Sequence, residues 1–358
     1  MPTDLPGHAQ AVIIGGGAVG ASVAYHLTRL GWRDVLLLER KQLTSGTTWH
    51  AAGLIGQLRA TEKLTRLARY SAELYDRLEA ETGQPTGFRR HGSLGLARTP
   101  ERFIELKRAA SMGRTLGLEV EVLTPAEARA LYPLIEVNDL VGAIFITTDG
   151  QANPIDITQA LAKGARMAGA RIVERCKVTG ITQANGRVTG VLTERGPVAA
   201  EIVVNCAGMW GRTVGRMAGV NVPLQACEHF YILTEPLPGL PADLPVLRDP
   251  DGCLYVKEDA GKLLVGVFEP VAKPWGLDGI PDDFEFGELP EDWDHFMPFL
   301  EDAMRRIPAL ADTGIRKFFC GPESFTPDDR YHLGEAPELK GFFIACGFNS
   351  IGIQSAGG

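Results

Sequence analysis

The sequence predicts a two-part α/β fold: a parallel sheet carrying helices, joined to a second, mostly antiparallel α+β unit. Three observations predict it. An apolar strand, Ala11–Ile14, runs through three glycines into a helical stretch, Ala18–Leu30, and then a second strand, Val35–Glu39. Two strands flanking one helix read as a right-handed βαβ unit with parallel strands. Short apolar runs recur far downstream, in ARIVERCKV, EIVVNCAGMWG and GFFIACG, and supply further strands of the same sheet. Residues 220–269 are strand-rich, with LQACEHFYILTEP, CLYVKED and KLLVGVFEP in succession. The order predicts a discontinuous first domain, 1–88, 151–222 and 322–358, and a second domain, 89–150 and 223–321. A ligand cleft belongs where the two meet.

The remaining elements follow from local chemistry. A polar loop spans Lys41–Thr48, and a helix runs from about Glu62 to Thr82 until TGQPTGF breaks it. HGSLGLAR reads as a strand. Two helices follow, Pro100–Leu116 and Pro125–Leu131, the second with Thr124 as N-cap. LVGAIFITTDG is a strand, and Asn153-Pro154 opens a helix over Ile155–Ala168. Asn185-Gly186 joins CKVTGITQA to RVTGVLTERG as a tight hairpin, because that pair accepts positive φ. Pro270–Trp293 reads as loop, and a helix covers Asp294–Arg306.

Composition narrows the function. The chain has 358 residues, 45% hydrophobic and 22% charged, with a net charge of −8, so it can bury a core but offers no basic face to nucleic acid. Its six cysteines form no C-x-x-C pair, which fits a reducing compartment and predicts neither a disulfide framework nor a metal site. The residues before the first strand lack an Arg-rich or apolar leader, and no apolar run is long enough to span a bilayer. A cytoplasmic location is expected; a mitochondrial matrix location stays open for a relative with a transit peptide.

The glycine turn carries the first functional signal. Gly15, Gly17 and Gly20 form G-x-G-x-x-G directly between strand and helix. The first permits the tight turn, the second lets backbone approach a pyrophosphate, and the third lets helix and strand pack closely. Glu39 ends the next strand, placed to accept hydrogen bonds from ribose hydroxyls. This is a Rossmann-like, glutathione-reductase-like unit for FAD or NAD(P); the turn alone does not separate the two.

The segments ERKQLTSGTTWHAAGLIGQLR, IVVNCAGMWG, CGPESFTPDD and ACGFNSIGIQSAGG separate them. In this order and spacing the chain resembles the sarcosine and dimethylglycine dehydrogenases, of the wider D-amino-acid-oxidase-like flavoproteins, over essentially its whole length. The resemblance implies FAD, held covalently through His50 in the T-W-H-A segment. It implies pyrophosphate contacts at Ala18 and Val19 and adenosine contacts at Glu39 and Arg40. The loop through Thr44, Ser45, Thr48, Trp49, Ala51 and Ala52 would wrap the diphosphate and ring. Val178 would meet the adenine, and Trp210 would pack near the cofactor or in ordinary core. Ser350, Ile351, Gly352, Ile353 and Gln354 would face the pyrimidine edge.

The same resemblance implies His229 and Tyr255 as the catalytic pair. Hydride leaves only from carbon beside a free amine lone pair, and an alkylamine is mostly protonated at neutral pH. His229 would take that proton and Tyr255 would orient the amine. Flavin N5 would take the hydride from the N-methyl carbon, and the iminium product would yield formaldehyde or be captured by a folate. Tetrahydrofolate would bind only in a domain absent from this chain, and an electron-transfer flavoprotein is an implied partner. A substrate carboxylate needs a cation: Arg59 is the candidate, with Arg248 and Lys257 as rivals.

One departure matters. Monomeric relatives attach flavin through a cysteine just before a T-P-D segment. Here Gly321 holds that place and Cys320 precedes it, which disfavours a thioether. The chain reads as a fragment whose last strand lacks its helical cover. A nicotinamide dehydrogenase and a family-like regulatory subunit without activity remain alternatives.

Overall fold

The computed structural model describes residues 5–358; the leader-free reading of residues 1–4 lies outside them. The βαβ unit forms as read, with strand His8–Ile14, helix Ala18–Arg29 and strand Val35–Leu38. These strands centre a sheet ordered 332–335, 342–346, 196–205, 8–14, 35–38 and 171–173. All are parallel except the antiparallel edge 332–335. The stretch ARIVERCKV does not stay one strand: it stops at Val173, turns at Arg175 (φ 52°), and Val178–Ala184 joins the hairpin instead. At that hairpin Asn185 and Gly186 take φ 50° and 71°, the positive values a tight turn requires.

Helix Glu62–Thr82 packs with Ala18–Arg29 and Pro154–Met167 on one face of the sheet, around Ile13, Leu37, Tyr75 and Leu161. Thr61 caps the first of these and Gly83 ends it at φ 64°, so both termini are written in the sequence. Pro125–Leu131 carries a full capping box between Thr124 and Glu127.

The second sheet runs 315–325, 225–234, 262–267, 254–259, 246–249, 93–97, 142–146 and 120–123. Its neighbours are antiparallel apart from 246–249 beside 93–97. One face packs on helix Trp293–Arg306 through Phe230, Ile232, Val256 and Phe296. The other faces the first sheet across a cavity. Strand Ile315–Phe325 is continuous through residues 321 and 322, so a boundary between them would cut the strand.

The last strand is not left bare. Gly352–Ser355 forms a short helix, Ile353 and Ala356 are buried, and Tyr75 donates to the Ile353 carbonyl at 2.8 Å. No helix among the described residues is long and apolar enough to cross a membrane.

Candidate active site

A cavity of ≈ 510 Å³ lies between the two sheets, with the glycine turn at one end and the His229–Tyr255 pair lining it from the second sheet. At the turn, Gly15 takes φ 113°, reachable by glycine, and a Cβ on Gly20 would overlap the Gly15 carbonyl oxygen. Gly20 therefore serves helix–strand packing and does not line the cavity. Gly16 donates its N–H to Glu39 Oε2 at 2.6 Å and Lys41 donates to Oε1 at 2.8 Å. Burial pushes the Glu39 carboxyl up, and these two donors oppose it. Gly15, Gly17, Ala18, Val19, Glu39 and Arg40 all line the cavity.

The Thr44–Ala52 loop is tied to that turn. Thr44 donates to Gly16 O at 3.0 Å from a left-handed conformation (φ 73°), and Ala18 donates to Thr48 Oγ1 at 3.1 Å. Ser45, Thr48, His50, Ala51 and Ala52 face the cavity. Thr44 and Trp49 do not: the first shapes the loop, and the Trp49 ring packs outward on Phe286 and Phe319. Val178 and Trp210 also line the cavity, with the Arg40 guanidinium 4.6 Å above the Trp210 ring. At the opposite wall Ser350, Gly352, Ile353 and Gln354 line the space, whereas Ile351 turns away into packing.

The catalytic candidates come from alternation along two strands. In Gln225–Thr234, His229 and Tyr231 face the cavity while Phe230 and Ile232 enter the core behind. In Leu254–Asp259, Tyr255 faces the cavity between core residues Leu254 and Val256. Tyr255 lies opposite Gly266, where any Cβ would overlap its ring. That glycine lets the tyrosine lean over its neighbour, bringing its hydroxyl 3.4 Å from His229 Nε2. His229 Nδ1 lies 3.2 Å from Glu269 Oε2. Burial disfavours the His229 imidazolium, but Glu323 and Glu269 together outweigh it and hold the ring at about 9. His50 is the reverse: burial, reinforced by His229, pulls it down to about 3, leaving a neutral ring.

Several site residues were not legible in the sequence. Glu323, within CGPESFTPDD, lines the cavity and accepts a hydrogen bond from Ser350 Oγ. Phe268 lines it between Tyr255 and Arg248, with ring centroids 5.1 Å from the first and the guanidinium 5.2 Å from the ring. Segment 278–284, read simply as loop, lines the cavity beside Trp210: Asp282 pairs with Lys177 at 2.8 Å and Phe284 lies 6.5 Å from Trp210.

None of the three cation candidates, Arg59, Arg248 and Lys257, is on the cavity wall. Lys257 is paired with Asp259 at 3.4 Å and does not reach the cavity. Arg59 donates to Gln354 Oε1 at 3.3 Å and sits behind it rather than on the cavity wall. Arg248 is pulled down to about 10 by burial and then by Arg59, so the two guanidiniums share one neighbourhood. Cys320 belongs to the core behind the sheet, where burial pushes its thiol up to about 12. It does not face the cavity.

The residues fit FAD. Arg40 Nε and Nη1, Trp210 Nε1 and His50 Nε2 are buried around the cavity without a hydrogen-bond partner. Each such group left dry costs about 1–3 kcal/mol, and an elongated anionic dinucleotide with polar edges would relieve it.

The description "FAD dependent oxidoreductase" (DAO) matches residues 10–358. Human mitochondrial sarcosine dehydrogenase is 45% identical over 99% of this chain and 39% of its own length. Mouse mitochondrial pyruvate dehydrogenase phosphatase regulatory subunit is 41% identical over 99% of this chain and 40% of its own. The chain thus spans about two fifths of the length of these relatives. The crystal structure of L-proline dehydrogenase from P. horikoshii is similar with a TM-score of 0.88 and 26% identity, covering 99% of this chain and 91% of that one. By fold, cavity and sequence, the chain belongs to the DAO family of FAD-dependent oxidoreductases.

Proposed function

We propose that this chain oxidises the N-methyl group of a small N-methyl amino acid, sarcosine or dimethylglycine, with FAD attached covalently at His50. The observation that carries the reading is the buried Tyr255–His229 pair, 3.4 Å apart, lining the same cavity as the glycine turn. When bound, FAD supplies the two-electron acceptor. Tyr255 orients the amine, and His229 receives the proton that must leave before the nitrogen lone pair is free. Its raised proton affinity makes it a strong acceptor once deprotonated, so turnover rises with pH. Glu323 adds negative charge beside the amine.

Arg248, beyond the Phe268 ring, and Arg59, behind Gln354, offer positive charge for the carboxylate from just outside the cavity wall. A zwitterion is the complement of that separation. The neutral His50 imidazole, with Nε2 lacking a hydrogen-bond partner, is the nucleophile suited to the linkage. Electrons would pass to an electron-transfer flavoprotein. The family assignment sets aside the nicotinamide reading.

A second reading keeps the fold without turnover, favoured by the 41% identity to the mouse regulatory subunit. One experiment separates the two. The purified flavoprotein is mixed anaerobically with sarcosine or dimethylglycine and its visible absorbance followed. Bleaching supports oxidation; a spectrum untouched by either amine, in protein with full flavin content, favours the regulatory reading.

A further inference from the structure

Glu269 is the one member of the His229 cluster that touches no part of the cavity. Its side chain is 5% exposed, its Oε2 meets His229 Nδ1 at 3.2 Å, and its Oε1 is buried without any partner. No Lys or Arg neutralises it among the described residues. A buried carboxylate aimed solely at one ring nitrogen is costly unless that nitrogen carries a proton. Its position is fixed by the chain: Phe268 donates to Cys253 O at 2.8 Å at the end of strand Lys262–Val267, and Pro270 follows.

We propose that Glu269 is a positioning residue that locks His229 with its proton on Nδ1 and raises its basicity, so that Glu269, His229 and Tyr255 form a proton relay toward the substrate amine. The inference rests on the amine-oxidation reading for its purpose, though not for its geometry. With Nδ1–H donated to Glu269, Nε2 is the free acceptor, and Nε2 is the atom facing the Tyr255 hydroxyl. The transfer is a proton shift without redox change. The substrate ammonium loses one N–H proton to the Tyr255 oxygen, and the bonding pair stays on the amine nitrogen as its lone pair. Tyr255 gives its own proton to Nε2.

Other groups face His229 from every side. Glu323 lies on strand Ile315–Phe325, and Tyr255 stacks at 6.3 Å between ring centroids. The Phe268 ring lies at 5.7 Å, and buried neutral His50 sits beyond Gly321. Both carboxylates favour the protonated ring and burial opposes it, so removing Glu269 leaves Glu323 to hold part of the effect. Glu323 lines the cavity and is open to ligand, whereas Glu269 acts through the ring alone.

The test uses flavin-loaded protein with nitrogen-labelled histidine. The His229 ring signals, assigned by their loss in His229→Gln, are followed against pH in the wild type and in Glu269→Gln. Glutamine keeps an acceptor for Nδ1–H and removes the charge. The expected result is a titration midpoint lower by about one unit or more in the variant. The rate of flavin reduction by sarcosine should move to lower pH by the same interval, with a small change in its limiting value. Glu269→Ala should also lower the limiting rate, because the ring loses its anchor. An unmoved His229 midpoint in Glu269→Gln overturns the proposal. So does a wild-type ring protonated on Nε2 in its neutral form, a result that needs no variant to fold. A shifted midpoint with no reduction by any N-methyl amino acid keeps the coupling and overturns the functional reading instead.

Discussion

The His50 imidazole lies against the Cα of Gly321: a Cβ at 321 would stand 2.8 Å from His50 Cε1 and 2.9 Å from Nδ1. Gly321 is also the cross-strand partner of His229, so one side-chain-free position lets the two histidines share a wall. A methyl group there would also stand 2.6 Å from Phe319 Cε1, so it must displace the Phe319 and His50 rings or the strand. Gly321→Ala is therefore expected to cut the fraction of covalently held flavin severely while the fold survives. Acid precipitation followed by absorbance of the pellet reads it; a fully yellow pellet would show the contact to be unimportant.

His50→Ala should leave flavin bound but dissociable, giving a colourless acid pellet. The same variant changes the acid limb of stability. The ring's ordinary value is about 6.5, and burial takes it to about 3 in the folded state. Folding thus keeps it neutral, and stability is lost as pH falls from about 6.5 toward 3. Removing the ring removes that loss, so thermal midpoints of flavin-free His50→Ala should decline less between pH 7 and pH 4 than those of flavin-free wild type. Parallel declines would argue against a buried neutral ring.

Gly266→Ala should disable the Tyr255–His229 pair without touching the nucleotide turn. The added methyl overlaps the tyrosine ring, and a misplacement near 1 Å costs about 100-fold in rate. Stopped-flow reduction should slow by that order while flavin content stays complete. Loss of flavin binding instead would mean the strand as a whole had shifted.

Arg248→Ala should raise the KM for an N-methyl amino acid by about 10–100-fold, from loss of a charge-assisted hydrogen bond of about 1.5–3 kcal/mol. The limiting rate should change less, since carboxylate binding is equal in ground and transition states. Substrate titrations of the flavin reduction rate separate the two parameters. An unchanged KM would move the carboxylate to Arg59.

Arg306→Ala should destabilise the second unit. Arg306 bridges Asp249 at 2.8 Å and Asp139 at 2.7 Å, and Asp249 is fully buried. Removing one partner of such a pair costs about 3–5 kcal/mol, because a charge is left behind in the core. Arg98, which also reaches Asp249 at 2.7 Å, limits the loss. Denaturant unfolding measures it.

Local chemistry made much of this legible. Helices Glu62–Thr82 and Pro125–Leu131 match the reading at both ends because their caps and breakers are adjacent in sequence. Strand Ile315–Phe325 went unread because Gly321-Pro322 interrupts it, and proline argues against an interior strand. It is tolerated because this strand is the sheet's edge.

By itself the sequence determined the nucleotide-binding unit, through the spacing of Gly15, Gly17, Gly20 and Glu39. The flavin assignment and the candidates His50, His229 and Tyr255 came from the family resemblance that the T-W-H-A and neighbouring segments carry. Only the tertiary structure decided that Glu269 stands behind His229, that Gly321 makes room for His50, and that Lys257 is spent on Asp259. The reason is register. Residues 229, 255 and 321 meet through strand pairings within the second sheet, Glu269 follows its strand Lys262–Val267, and His50 arrives on the Thr48–His50 turn; a one-residue slip would turn His229 and Tyr255 to the opposite face.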